Sequence, residues 1–165
     1  MKGLSFAVLF ALLVGVLVAS QTLYVVKETE RAVVLKFGEI VEADVQPGIH
    51  FKLPVMNEVK KFDARILTMD SRPQRYLTQE KKAVIVDSYV KWKIDSVDKF
   101  YQATSGDEIV ANRVLSSRVD TGLRNQFGER SMHEVVSGER DTLMTELRDD
   151  LNEVAKAELG ITIVD

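Results

Sequence analysis

The chain has 165 residues, with 22 basic and 25 acidic side chains for a net charge of −3, two histidines and no cysteine. So balanced a charge excludes the clustered basic surface of a nucleic-acid binder, and the absence of thiols excludes disulfides and thiolate metal sites. The length suffices for one anchor and one core, and no low-complexity tract, Gly/Ser linker or solenoid repeat divides it.

No side chain is charged between Lys2 and Lys27, and the run from Leu4 to Val26 is apolar but for Ser5, Ser20, Gln21 and Thr22. About 23 such residues are enough for a helix to cross a bilayer. The reading is therefore a short N-terminus (1–3), a transmembrane helix (4–26) and a domain (27–165). A cleaved signal peptide is the rival, since Val18-Ala19-Ser20 offers small residues. Against it, apolarity resumes at Leu23-Tyr24-Val25-Val26, beyond the roughly 7–15 residues of a signal core. Tyr24 stands where an interfacial aromatic would anchor the helix end. Lys27, Arg31 and Lys36 are interleaved with Glu28, Glu30 and Glu39. A positive-inside count favours a cytoplasmic domain, but long domains translocate largely regardless of such charges.

The first half of the domain reads as strands. Arg31–Phe37 is β-rich, and Gly38-Glu39 turns the chain into Ile40-Val41. Gln46-Pro47-Gly48 is a turn signal. Ile49–Leu53 alternates apolar and polar like a half-buried strand, with His50 on the polar face. Val59–Asp63 and Arg65–Met69 follow. Then comes a hairpin of Arg75–Thr78 with Ala83–Ile94 around the polar Gln79–Lys82. Val84, Val86, Val90, Trp92 and Ile94 share one face of its long strand, with Asp87, Lys91 and Lys93 on the other.

The second half switches to helical period. Ser96 caps a short helix carrying Val97, Phe100 and Tyr101. From Asp107 to Phe127 the residues Ala111, Leu115, Val119, Leu123 and Phe127 recur every four, with Gly128 as a stop. Ser131 and Glu134 have capping-box spacing. A last helix spans Glu139–Leu159 with Leu143, Met144, Leu147, Leu151, Val154 and Ala155 on one face, and Gly160 ends it before a strand from Ile161. The class is α+β: an antiparallel sheet, then helices packed on it.

Glu30-Arg-Ala-Val-Val-Leu-Lys-Phe-Gly38, Pro47-Gly-Ile-His-Phe-Lys-Leu-Pro54 and Lys61-Phe-Asp-Ala-Arg-Ile-Leu-Thr-Met-Asp70 make the chain resemble the SPFH (band 7) family of stomatins, prohibitins and flotillins. Leu77–Lys82 and Val86–Ile94 extend the resemblance. It implies a single-pass protein of the bacterial inner membrane with its main domain in the periplasm. Such a protein would assemble with an HflK-like SPFH partner into a cage that restrains the membrane AAA+ protease FtsH. Family members continue past a segment like Gly160–Asp165 into further strand and a long helix, so the sequence is read as incomplete at its C-terminus. Two other readings compete: a stomatin-like organiser of membrane microdomains with no dedicated protease partner, and an enzyme or secreted domain.

Catalytic chemistry finds little support. His50 and His133 are separate and have no ligand-spaced partners, so both read as structural or surface residues, with no metal and no cofactor. Ser71, Ser88, Ser116 and Ser117 lack a nucleophile elbow, and Gly106 and Gly122 are isolated rather than part of a phosphate loop. Glu80-Lys81-Lys82 reads as a solvated hairpin tip, Trp92 as core, and Asp63 with Arg65 as a local pair on one strand. The one binding feature is an apolar tip near the membrane helix, Ile49 and Phe51 leading into the loop Leu53, Pro54, Val55 and Met56, read as a bilayer contact in which the alternative is sheet core.

Overall fold

The computed structural model describes Phe10, Leu13 and residues 22–53, 56–136 and 140–165. Among these, no helix is long and apolar enough to cross a membrane. Most of the span expected over 4–26 lies outside the described residues. Its last four residues are corrected: Leu23–Val26 is a strand, β1, pairing with β4 (Gly48–Phe51). Two β-branched valines and a tyrosine favour extended backbone, and β4 supplies the hydrogen-bonding partner that a helix end would lack.

The chain forms two compact units, divided after Ala64. The first holds the β1–β4 ribbon and a three-stranded antiparallel sheet. That sheet has the order β3 (Glu39–Val45), β2 (Glu30–Lys36), β5 (Asn57–Asp63). In β2, Ala32, Val33, Val34 and Leu35 are all buried, as a central strand covered on both faces requires. The β2–β3 turn is Phe37-Gly38 rather than Gly38-Glu39, because Lys36 pairs with Glu39. Asp44 and Arg31 close the other end of this hairpin, with Arg31 Nη1 2.6 Å from Asp44 Oδ2.

The second unit contains a sheet of β6 (Leu67–Asp70), β9 (Tyr89–Ile94) and β10 (Ile161–Ile163), and a hairpin of β7 (Gln74–Leu77) with β8 (Ala83–Val86). The long strand expected over 83–94 is thus broken at Asp87-Ser88, opposite a break at 71–73. Pro73 has no N–H to continue the ladder, and only Ser71 N–H bridges the gap, to the Ser88 carbonyl at 3.0 Å. Four helices follow: α1 (Val97–Thr104), α2 (Glu108–Gly128), α3 (Met132–Val136) and α4 (Arg140–Glu158).

Every residue of the expected four-residue repeat on α2 is buried, and Asp107 caps it by accepting from Ile109 N–H at 2.8 Å. On α4, Leu143, Leu147 and Ala155 are buried while Val154 is exposed. Gly160 adopts φ +64°, and a Cβ there would lie 2.6 Å from the Ser96 carbonyl oxygen, so only glycine allows β10 to turn back beside β9.

A buried tyrosine fastens β7 to α2. Tyr76 donates to Asp120 Oδ1 at 2.9 Å, and Arg124 donates to Asp120 Oδ2 at 2.9 Å. Burial first, then the bond to Asp120, pushes the phenol up to about 12. The Tyr76 bond, then Arg124, holds the Asp120 carboxyl below its usual range. The signs follow. The tyrosine contribution is full below its ordinary value near 10 and is lost as pH rises through about 12. The Asp120 contribution is full above the ordinary carboxylate value and is lost on acidification through its lowered one. Tyr76→Phe is expected to cost about 1 kcal/mol at neutral pH and to raise the Asp120 pKa. Urea unfolding and a carboxyl NMR titration measure both, and an unmoved Asp120 titration would contradict the coupling.

Candidate functional site

In the β1–β4 ribbon, Leu23 opposes Phe51, Tyr24 opposes His50, Val25 opposes Ile49 and Val26 opposes Gly48. Opposed residues share a face and successive residues alternate, so the ribbon carries two sets of side chains. On the inner face Val26 is buried with Ala32, Val34 and Val45, and Tyr24 packs against that cluster. The Tyr24 ring stacks on His50 with centroids 5.5 Å apart, and His50 Nε2 lies 2.7 Å from the Gln46 carbonyl oxygen. On the outer face Leu23, Val25, Ile49 and Phe51 are all exposed, Ile49 at 69% and Phe51 at 79%.

The alternation expected over 49–53 is therefore present with its faces exchanged. His50 turns inward, where its ring is stacked and one nitrogen is hydrogen-bonded. The apolar set turns outward. Period alone says which residues share a face, and the burial of Val26 decides which face is which.

Further apolar groups gather at one end of this ribbon. Lys52 N–H donates to the Thr22 carbonyl at 2.7 Å, and Asn57 N–H donates to the Leu53 carbonyl at 3.0 Å. Asn57 is opposite Lys36 in the β2–β5 register, and Phe37 follows Lys36. So Leu23, Phe51, Leu53, Met56 and Phe37 belong to one end of the first unit, and all five are exposed. Pro54 and Val55 lie outside the described residues.

Phe37 stands out in its backbone as well. It has φ +53°, followed by Gly38 at +89°, as a two-residue type I′ hairpin requires. Asparagine, aspartate or glycine is the usual occupant of that first position. A bulky aromatic in the left-handed region is strained, and at 81% exposure Phe37 recovers nothing from packing within the chain.

The other residues singled out in the sequence are accounted for locally. His133 is exposed in α3, and among the described residues no three His, Asp or Glu side chains form a metal-binding group. Trp92 is fully buried, with its indole N–H donating to Asn112 Oδ1 at 3.1 Å. Lys82 pairs with Glu80 at 2.6 Å in the hairpin tip, where Lys81 turns the chain at φ +61°. Ser131 and Glu134 form the expected capping box: Ser131 N–H donates to Glu134 at 2.7 Å and holds its carboxyl low. Ser96 occupies an N-cap, but its hydroxyl donates to Asp98 rather than accepting from a backbone amide. Asp63 and Arg65 do not share a strand, since β5 ends at Asp63 and β6 begins at Leu67.

Ser88 lines an open groove of about 650 Å³ in the second unit, beside Asp87, Tyr89, Met144, Arg148 and Asp165. Among the described residues, that lining contains no histidine or lysine to activate Ser88 as a nucleophile.

The SPFH domain / Band 7 family model matches residues 24–165. The chain is 39% identical to the modulator of FtsH protease HflC of Escherichia coli K12 over 153 residues, covering 88% of this chain and 46% of that protein. It is 40% identical to protein HflC of Haemophilus influenzae over 157 residues (90% and 53%). With protein HflC of Vibrio parahaemolyticus it shares 34% over 190 residues (93% and 58%). The chain spans about half the length of these curated relatives.

The exposure of the ribbon's outer face has a direct consequence for stability. Replacing Ile49 and Phe51 together by threonine, a strand-favouring β-branched residue, is expected to change unfolding free energy by less than about 1 kcal/mol. Leu35→Ala in the buried β2 is expected to cost about 2–5 kcal/mol. Urea unfolding of the detergent-solubilised chain separates them. A double variant as costly as Leu35→Ala would mean that the outer face is core.

Proposed function

This chain belongs to the SPFH/Band 7 family, and on that premise we propose that it is a membrane-anchored scaffold that modulates the membrane AAA+ protease FtsH. It is a single-pass protein of the bacterial inner membrane, with residues 27–165 in the periplasm. It acts by assembly, with copies of itself and an HflK-like SPFH partner, and not by catalysis. The single observation that carries this reading is the outer face of the β1–β4 ribbon. Four large apolar side chains stand exposed there, and two of them, Leu23 and Val25, belong to the uncharged run that extends to Val26. Returned to hydrocarbon, each half- to four-fifths-exposed side chain contributes on the order of 1–2 kcal/mol. That is enough to hold the first unit flat against the leaflet from which the anchor emerges. Leu53 and Met56 extend the contact, and Pro54 and Val55 complete the sequence of that loop.

A stomatin-like organiser of membrane microdomains would use the same apolar face. The protease reading is favoured because the Escherichia coli relative is named a modulator of FtsH protease.

Affinity purification of the protein from native membranes is expected to bring down both FtsH and a second SPFH chain. Recovery of the second chain without the protease would leave the microdomain reading in its place. An alkaline phosphatase reporter joined after Asp165 is expected to be active. Activity from a cytoplasmic reporter instead would overturn the periplasmic placement.

A further inference from the structure

Resting on the reading of this end as a bilayer contact, we propose that it selects anionic lipid headgroups through Lys36 and Lys52. Lys36 is the last residue of β2, immediately before the exposed Phe37. Lys52 lies between the exposed Phe51 and Leu53, and its own N–H is held by the Thr22 carbonyl. Both therefore belong to the apolar end of the first unit, one from the β2–β3 turn and one from the end of the β1–β4 ribbon.

The other lysines and the arginine of the unit are engaged among the described residues. Arg31 pairs with Asp44, Lys60 with Glu58 at 2.8 Å, Lys61 with Glu30 at 3.7 Å, and Lys27 with Glu30 at 4.0 Å. Among the described residues neither Lys36 nor Lys52 has an ion-pair partner; Glu39, opposite Lys36 in the register, lies beyond ion-pair distance. A lysine beside apolar anchors lays its methylene stem along the hydrocarbon boundary and lifts its ammonium to the phosphate level. An anionic leaflet rewards that placement and a zwitterionic one does so weakly. The apolar side chains thus supply depth, and the two lysines supply headgroup preference.

Residues 1–165 contain no cysteine, which allows a clean test on them. Leu53→Cys is labelled with an environment-sensitive fluorophore, and the protein is reconstituted into phosphatidylcholine vesicles or vesicles containing phosphatidylglycerol. Quenching by a lipid-phase quencher reports the ratio of immersed to lifted label. That ratio is expected to rise roughly fivefold per lysine in anionic vesicles at low salt, and to fall back toward the phosphatidylcholine value at high salt. Lys36→Gln with Lys52→Gln is expected to remove the anionic increment, and Lys36→Arg with Lys52→Arg to preserve it.

Equal immersion in both lipids, unchanged by the glutamine variants, would overturn the headgroup proposal while leaving the bilayer contact standing. A label fully accessible to water in both lipids would overturn the contact itself, and the headgroup proposal with it.

Discussion

Side chains of a two-stranded ribbon face only two ways, and in this chain that parity governs the first unit. Once Val26 is committed to the cluster of Ala32, Val34 and Val45, Tyr24 and His50 follow it inward. Leu23, Val25, Ile49 and Phe51 are left on the other side. A one-residue slip of β4 against β1 would turn Ile49 and Phe51 inward and His50 outward. The observed register does the opposite, at the cost of a large exposed apolar face. Exposed apolar patches of this kind mark interaction surfaces, and the proposed occupant of this one is the bilayer.

Much of the second unit was legible in the sequence, because its signals are strictly periodic. The repeat from Ala111 to Phe127 and the Ser131–Glu134 box stand as read, for these depend on local spacing alone. What the sequence did not disclose depends on pairing across distance. Leu23–Val26 looks like the end of an apolar helix until β4 is seen beside it. The faces of 49–53 cannot be assigned from period, since alternation does not say which side is wet. The strain at Phe37 was invisible because Phe-Gly is not a usual turn pair. Pro73 was a signal that could have been used: a proline in the middle of a β-rich stretch foretells the break between β6 and β7. Of the candidate contact, the apolar tip of Ile49, Phe51, Leu53 and Met56 was read from sequence. The share of the surface that β1 and Phe37 supply was not.

Several polar groups of the second unit tie its own elements together. Tyr76, Asp120 and Arg124 join a strand to a helix; Arg118 on α2 meets Glu158 on α4 at 2.6 Å, and Arg130, between α2 and α3, meets Glu146 on α4 at 2.7 Å. These exposed pairs each contribute little.

The central claim is that the outer ribbon face lies against the bilayer, and the chain offers a matched comparison for it. Ile49 on β4 and Ile109 at the start of α2 have the same side chain and the same 69% exposure. Single cysteines at the two positions can be challenged, in intact membranes opened to both faces, with a bulky water-soluble maleimide. The account predicts rapid labelling at position 109, and protection at position 49 that detergent removes. Equal labelling at both positions in the membrane would contradict it.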